Sequence, residues 1–537
     1  MLILLKNKIL QSFIVFIFFF IVFCFTISSN FSVSHDSIAY INAIDKGINL
    51  FHPHHLLYHI FNFKVLQIAR LIYNSLDSAK VVSMVNCFFG ALSLVVIFNI
   101  FKTRFKIKSN CIIITGICLI AFSYGFWFYS DCIEVYIIPI FFMLLSLYFI
   151  LDEAETKKSI FLSAIFTSLA ILFHQSHILL VFSIIIFTLL NYKSKKNIII
   201  YLAICGGIVS TVYLYVLINI IKINSFFDMI NWVTFYMHSS SYWNPISFST
   251  LLKAFIGFAR SIISGNFLFN ILDQEQIKIF FKGKSLDDEF FAVMDLGYNK
   301  SMFLLFLMIS FTLFFIYFVI KYLNYLPHLW RNKRKEVSLL LVSFFVYSLF
   351  FFFWDSANVE FWIPQSIFMW LLIILFISEV SNNVKWKPKY YFLLCLLPII
   401  LFIINFNGSI KSAINPQKDY YYKKIEYLIN KASKDDLIII VNEWLNKDYI
   451  ERFIPVVKVI PIFDLNKQVN NKNKIKLLDK EIKNALNTNK NIFLLSEVFY
   501  KEERLSIYQE YLNSNYSFEK FHYDGFNDFY LIDGYCK

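Results

Sequence analysis

Long apolar runs alternate along this chain with short polar or basic breaks. The runs fall at about residues 9–29, 80–101, 111–129, 133–151, 197–221, 301–321, 337–354, 362–380 and 390–406. Each approaches or reaches the ~20 residues that carry an α-helix across a bilayer. Residues 159–191 form one longer apolar stretch broken by His174, Gln175, Ser176 and His177, which reads as two short helices meeting at the break. The pattern predicts a polytopic α-helical membrane protein with about eleven spans. Two further stretches, 55–74 with Lys64 and Arg70 and 247–263 with Lys253 and Arg260, mix apolar and cationic positions and read as helices lying along a membrane surface. Beyond about residue 410 the pattern changes. Strand-length apolar runs at 435–442, 455–463, 491–496 and 526–533 alternate with polar, helix-favouring stretches at 471–487 and 501–513. This predicts a small α/β domain over 410–537, following a transmembrane domain over 1–409. It has no glycine-rich phosphate loop, so no nucleotide is assigned to it.

Composition agrees: 58% of the residues are hydrophobic and 16% charged, against about 45–50% and 25% in soluble proteins. A formal charge of +13 is of the sign that nucleic acid attracts. Its lysines and arginines instead gather in short loops between runs, as at Lys102, Arg104, Lys106 and Lys108 and at Arg331, Lys333, Arg334 and Lys335. Cations in such loops mark the cytoplasmic face. A nucleic-acid partner is thereby set aside, and the expected topology puts the N-terminus in the cytoplasm. It also puts the loops 30–79 and 222–299 and the C-terminal domain outside. The first run follows Lys6 and Lys8 but lacks a small-residue cleavage site, so it reads as a retained helix. Most of the eight cysteines sit inside apolar runs with no CxxC pair, and read as small hydrophobes.

On that topology one face collects Asp36, Asp45, His52, His54 and His55 in the first loop, then Asp131 and Glu134, His174 and His177, and Asp355 and Glu360. Polar groups at span ends tend to face a cavity or the bundle interior; the alternative is that they border the headgroups. Glu134, framed by apolar and aromatic residues, and the His174/His177 pair are the stronger candidates. Two histidines three apart suit a metal, but no matching carboxylate motif accompanies them. A divalent metal stays possible and no cofactor is assigned. Arg260 and Lys253 read equally as phosphate ligands and as anchors to anionic lipid. Trp127, Trp354 and Trp362 read as interfacial belt residues.

Four stretches in order carry a resemblance: Asp36 followed by His52-Pro53 and Leu57-Tyr58; Phe126-Trp127 with Glu134-Val135-Tyr136; the histidine-ended LAILFHQSH; and Trp354-Asp355 with Glu360-Phe361-Trp362-Ile363-Pro364. Together they cover roughly residues 1–380, and over them the chain resembles the GT-C superfamily of membrane glycosyltransferases, in its bacterial protein O-mannosyltransferase-like branch. The resemblance implies inverting transfer of a sugar from a polyprenyl-phosphate donor to a lipid, glycan or protein acceptor outside the cytoplasm, in a bacterial inner membrane. It places the catalytic acidic residue of the first loop at Asp36, where Ser37 stands in place of the Glu that protein mannosyltransferases often show next. That departure weakens any claim to a protein acceptor or mannose. Asp36 suits a general base for the acceptor hydroxyl. His52, His54, His55, Tyr58, Glu134, Tyr136, His174, His177, Arg260, Asp355 and Glu360 are then the substrate-binding candidates. The competing readings are a transporter or flippase of a lipid-linked substrate, with Glu134 and His174 as a proton relay, and an envelope polysaccharide polymerase or ligase.

Overall fold

The structure is a computed structural model that describes residues 8–152, 156–191, 195–281, 286–384, 386–442, 445–463, 471–500, 505–523 and 527–535. The chain forms two compact units. The first comprises Met1–Ser29, Ala43–Lys284 and Val293–Ile414, and the second Asn30–Asn42, Ser285–Ala292 and Asn415–Lys537.

In the first unit, among the described residues, seven helices are long and apolar enough to cross a membrane: Lys8–Phe25, Ser78–Arg104, Lys195–Ile221, Tyr298–Asn332, Arg334–Phe353, Val359–Asn383 and Pro388–Ile414. Helices Asn110–Ala121 and Tyr124–Asp131, bent by 64° at their junction, add an eighth as a broken pair. This is a multi-pass membrane architecture, built from elements that satisfy their own backbone hydrogen bonds. The eleven expected runs are all helical, but eleven crossings do not follow from them. Helices Ile137–Ile150, Lys157–Phe173 and Ile178–Asn191 fall short of the usual span length. Two breaks shorten them. Cys132–Tyr136 delays the start of the first, and the 3-10 turn Gln175–His177 separates the other two.

Side chains near and far close the exposed helix ends. Asp77 accepts from the Ala79 amide at 3.2 Å, and Thr156 from the Ser159 amide at 3.1 Å. At the 64° bend the freed carbonyl of Phe122 accepts from Asn405 Nδ2 at 2.8 Å, while Trp370 Nε1 donates to Ser123 Oγ at 2.8 Å. The bend is thus held by polar groups from two distant helices, which is what a break inside an apolar span requires. Trp127, Trp354 and Trp362, expected in an interfacial belt, are buried instead. Trp127 Nε1 donates to Thr26 Oγ1 at 3.0 Å and Trp362 Nε1 to the Ser356 carbonyl at 2.9 Å. An indole with its N–H satisfied packs as readily in a core as at a headgroup.

Helices stand at Tyr58–Ile72 and Phe248–Ile262, within the two stretches that mix apolar and cationic positions. The second buries small residues, Thr250, Ala254, Gly257 and Ser261, and exposes Phe248, Leu251 and Phe255. Gly257 is required by close approach: a Cβ there would stand 2.5 Å from the Ser356 carbonyl and 2.7 Å from Trp362 Nε1.

The second unit holds a five-stranded sheet of order β2-β1-β3-β5-β4. Its strands are β1 (Leu437–Asn442), β2 (Lys458–Phe463), β3 (Ile492–Leu495), β4 (Tyr516–Tyr523) and β5 (Asn527–Tyr535). β1 pairs parallel with β2 and β3, and β5 pairs antiparallel with β3 and β4. The unbroken LIIIVN of β1 suits a central strand buried on both faces. Helices Asn471–Asn487 and Ser506–Asn515 stand where helices were expected; residues 501–504 of the second prediction lie outside the described residues. Strand β4 was not expected. Asn30–Asn42 is fastened into this unit: Asn30 Nδ2 donates to the Lys418 carbonyl at 2.7 Å, the Phe31 amide to Asp419 Oδ2 at 2.8 Å, and Asn42 Nδ2 to the Asp448 carbonyl at 2.9 Å.

Candidate functional site

In the first unit the turn Pro53–His55 packs against the turn Gln175–His177. Tyr213 Oη donates to the Pro53 carbonyl at 2.6 Å, and the Leu57 amide to the Leu172 carbonyl at 3.0 Å, fixing that approach. The rings of His52 and His55 stack at 4.2 Å, and those of His55 and His59 meet at 4.8 Å. Burial, with neighbouring imidazoles, pushes His52 down to about 3, and burial alone pushes His54 to about 4. These imidazoles are therefore neutral at ordinary pH and act as hydrogen-bonding groups, not as cations for a phosphate.

His174 lies against Tyr136, ring centroids 4.9 Å apart, and its Nδ1 is 2.7 Å from Ser176 Oγ. His177 Nδ1 is 2.9 Å from Tyr347 Oη. Glu134 is buried. Its backbone carbonyl and that of Cys132 both accept from Asn86 Nδ2, at 2.8 and 2.7 Å, and the same amide reaches Tyr58 Oη at 3.3 Å. Glu360 is held at both oxygens: Tyr129 Oη donates to Oε2 at 3.1 Å and Asn358 Nδ2 to Oε1 at 2.9 Å. Asn358 also reaches Asp355 Oδ2 at 3.3 Å. Asp355 occupies the left-handed region, with φ of 38°, and its amide donates to the Tyr242 carbonyl at 2.8 Å. Tyr136, Ser176, His177, Glu360 and Phe361 line a small cleft of roughly 240 Å³, counting the space open to solvent. Its lining offers an aromatic face, hydroxyl and imidazole groups and a carboxylate, with no Lys or Arg among the described residues.

The remaining candidates take other places. Asp45 pairs with Arg70 at 2.7 Å, both partly exposed, as an ordinary surface ion pair. Asp131 is buried and accepts from Thr26 Oγ1 at 2.5 Å, in the same small network as Trp127. Arg260 donates to the Ser264 carbonyl at 3.1 Å and to Asn266 Oδ1 at 2.9 Å, which fastens it to the loop after its helix. Lys253 lies 6.0 Å from the centroid of the Phe280 ring.

Asp36 belongs to the second unit. It is exposed, and Tyr40 Oη donates to its Oδ2 at 3.2 Å. The surrounding protein pushes its carboxyl above the ordinary value, opposed by His35 and Tyr40. Among the described residues no group of three or more His, Cys, Asp or Glu could hold a metal ion.

Asn86, Tyr129, Tyr347, Asn358 and Asp288 were not singled out in the sequence. A lone asparagine inside the apolar run SAKVVSMVNCFFG was the readable sign for Asn86. The tyrosines are too common here, at 32, to stand out.

No protein-family model and no curated protein matches the chain. Solved structures do. ArnT from Cupriavidus metallidurans in the apo state aligns at a TM-score of 0.55 and 9% identity, over 98% of this chain and 98% of that one. The same protein bound to undecaprenyl phosphate aligns at 0.54 and 8%, over 98% and 97%. The apo Archaeoglobus fulgidus oligosaccharyltransferase is a more distant likeness, at 0.45 and 13%, over 94% and 70%. Likeness at such identities is one of fold, and along nearly its whole length this chain has the fold of ArnT.

Proposed function

We propose that this chain is a membrane glycosyltransferase that moves a sugar from a polyprenyl-phosphate carrier to an acceptor outside the cytoplasm. The observation that carries the reading is the near-complete likeness in fold to ArnT, a protein crystallised with undecaprenyl phosphate. The buried polar set of the first unit supports it. Glu360, Tyr136 and His177 around a small cleft suit a hydroxylated ring, which stacks on aromatic faces and donates to carboxylate and imidazole. The membrane is taken to be a bacterial inner membrane, with the N-terminus cytoplasmic and residues 410–537 outside.

In the proposed reaction the acceptor hydroxyl attacks the anomeric carbon and Asp36 takes its proton. The bond from that carbon to the phosphate oxygen breaks, with inversion. The leaving polyprenyl phosphate departs as a stable anion, so it needs donors or a cation and no proton. Arg260 and Lys253 remain the candidates for that anion, since the buried imidazoles are neutral. The experiment is twofold. Undecaprenyl phosphate added to the detergent-purified protein should raise its melting temperature. Cells lacking the gene should accumulate a lipid-linked sugar, which the wild-type gene clears and the Asp36→Asn gene does not. Absence of both effects overturns the reading.

A further inference from the structure

Cys111 and Cys395 stand 284 positions apart in the chain, yet their sulfurs lie 3.3 Å from each other. Both are free thiols, Cys395 exposed and Cys111 half-buried. Cys111 Sγ also lies 3.9 Å from the Tyr391 carbonyl, about one helical turn before Cys395. Cys111 is thus seated against the neighbouring helix at two points. It is the second residue of helix Asn110–Ala121, and Cys395 is the eighth of helix Pro388–Asn405. The packing of these helices accounts for the approach. Phe122 lies eleven residues beyond Cys111 and Asn405 ten beyond Cys395, and Asn405 Nδ2 donates to the Phe122 carbonyl at 2.8 Å. The two helices therefore run side by side in the same direction. They touch at two levels about 15 Å apart, at ~1.5 Å per residue. The far level is the hydrogen bond at the 64° bend; the near level is the pair of thiols.

We propose that Cys111 and Cys395 form a redox-modification site, which a peroxide closes into a disulfide that fastens this helix pair at its near end. The sulfurs have only to close from 3.3 Å to the ~2.05 Å of the bond. The more exposed Cys395, as thiolate, attacks one peroxide oxygen. The O–O bond breaks, hydroxide leaves, and the sulfur becomes a sulfenic acid. The Cys111 thiolate then attacks that sulfur, the S–O bond breaks, and a second hydroxide leaves. The two hydroxides take up the two thiol protons. The dithiol has lost two electrons, and the peroxide has gained them and become two waters. On the proposed topology Lys106, Lys108 and Lys387 set this end of the pair at the cytoplasmic face. Thiols there are kept reduced, so the bridge forms under oxidative load and a reducing dithiol reopens it by exchange. While closed, it holds covalently the register in which Asn405 meets Phe122.

The test uses membranes containing the full chain. They are treated with hydrogen peroxide, remaining thiols are alkylated, and peptides are read by mass spectrometry before and after dithiothreitol. The oxidised protein should give a species joining the Cys111 and Cys395 peptides, lighter than their sum by two hydrogens and parted by dithiothreitol. After purification in detergent it should melt several degrees above the reduced protein. Cys111→Ser and Cys395→Ser should each lose both effects, and either serves where the other does not fold. Cys118→Ser, two turns along the same helix, should keep them. Thiols that stay alkylatable, or separate sulfinic acids with no joined peptide, overturn the proposal. So does a bridge through Cys118 or a second molecule, or a joined peptide with no rise in melting temperature.

Discussion

Glu360, the carboxylate in the lining of the cleft, accepts from Tyr129 at one oxygen and from Asn358 at the other. Tyr129→Phe removes a donor to Oε2 without emptying the space of the ring. Transfer efficiency should drop by about tenfold, through KM more than kcat, if the carboxylate orients the substrate. A purely structural role would instead lower stability and leave KM alone. Tyr347→Phe has a different expected reading. It strips His177 Nδ1 of the hydroxyl 2.9 Å away inside the bundle, which should cost about 1–2 kcal/mol and appear as a lower melting temperature. Asp36→Asn keeps size and removes basicity, so transfer should fall by roughly 10²–10⁴-fold while the protein still inserts in the membrane. A near-normal rate in that variant would exclude Asp36 as the base.

Among elements, the helix Phe248–Ile262 shows how close packing is purchased by small residues. Gly257→Ala drives a Cβ into the Ser356 carbonyl and the Trp362 indole, and should destabilise the protein by about 1–3 kcal/mol. An unchanged melting temperature would mean that the helix is not seated there. The same level explains what could be read in advance. The break at His174–His177 was legible because four polar residues interrupt an apolar run, and the helices do end there. Asn86 and Asn405 are lone polar residues in comparable runs, but the carbonyls they satisfy belong to Cys132, Glu134, Phe122 and Ile262. Those partners depend on tertiary packing that no local periodicity encodes. The three tryptophans misled for a related reason, since an indole suits a lipid interface and a dry core alike. The His35–Asp288 contact joins residues 253 positions apart and had no local sign at all.

At the scale of the molecule, the surprise lies in what the C-terminal sheet is folded with. The sequence suggested a tail beginning near residue 410 and a first loop belonging to the membrane half. The compact unit instead unites Asn30–Asn42, Ser285–Ala292 and the tail. Asp419 shows the linkage, accepting from the Phe31 amide at 2.8 Å and from Tyr449 Oη at 2.7 Å. Ending the chain after Ile414 should therefore silence transfer as fully as Asp36→Asn does, although the apolar helices still insert. Retained activity in that truncation would show that the first loop keeps its working conformation unaided.

This interlacing also bears on how such a protein can be re-engineered or can diverge. Three separate stretches of sequence make one folded body, so a tail transplanted from a homologue arrives without the two strands of coding sequence that complete it. Recombination that respects only the linear boundary would yield chimaeras with intact helices and a misfolded Asn30–Asn42 segment. Productive exchange has to move all three pieces as a set.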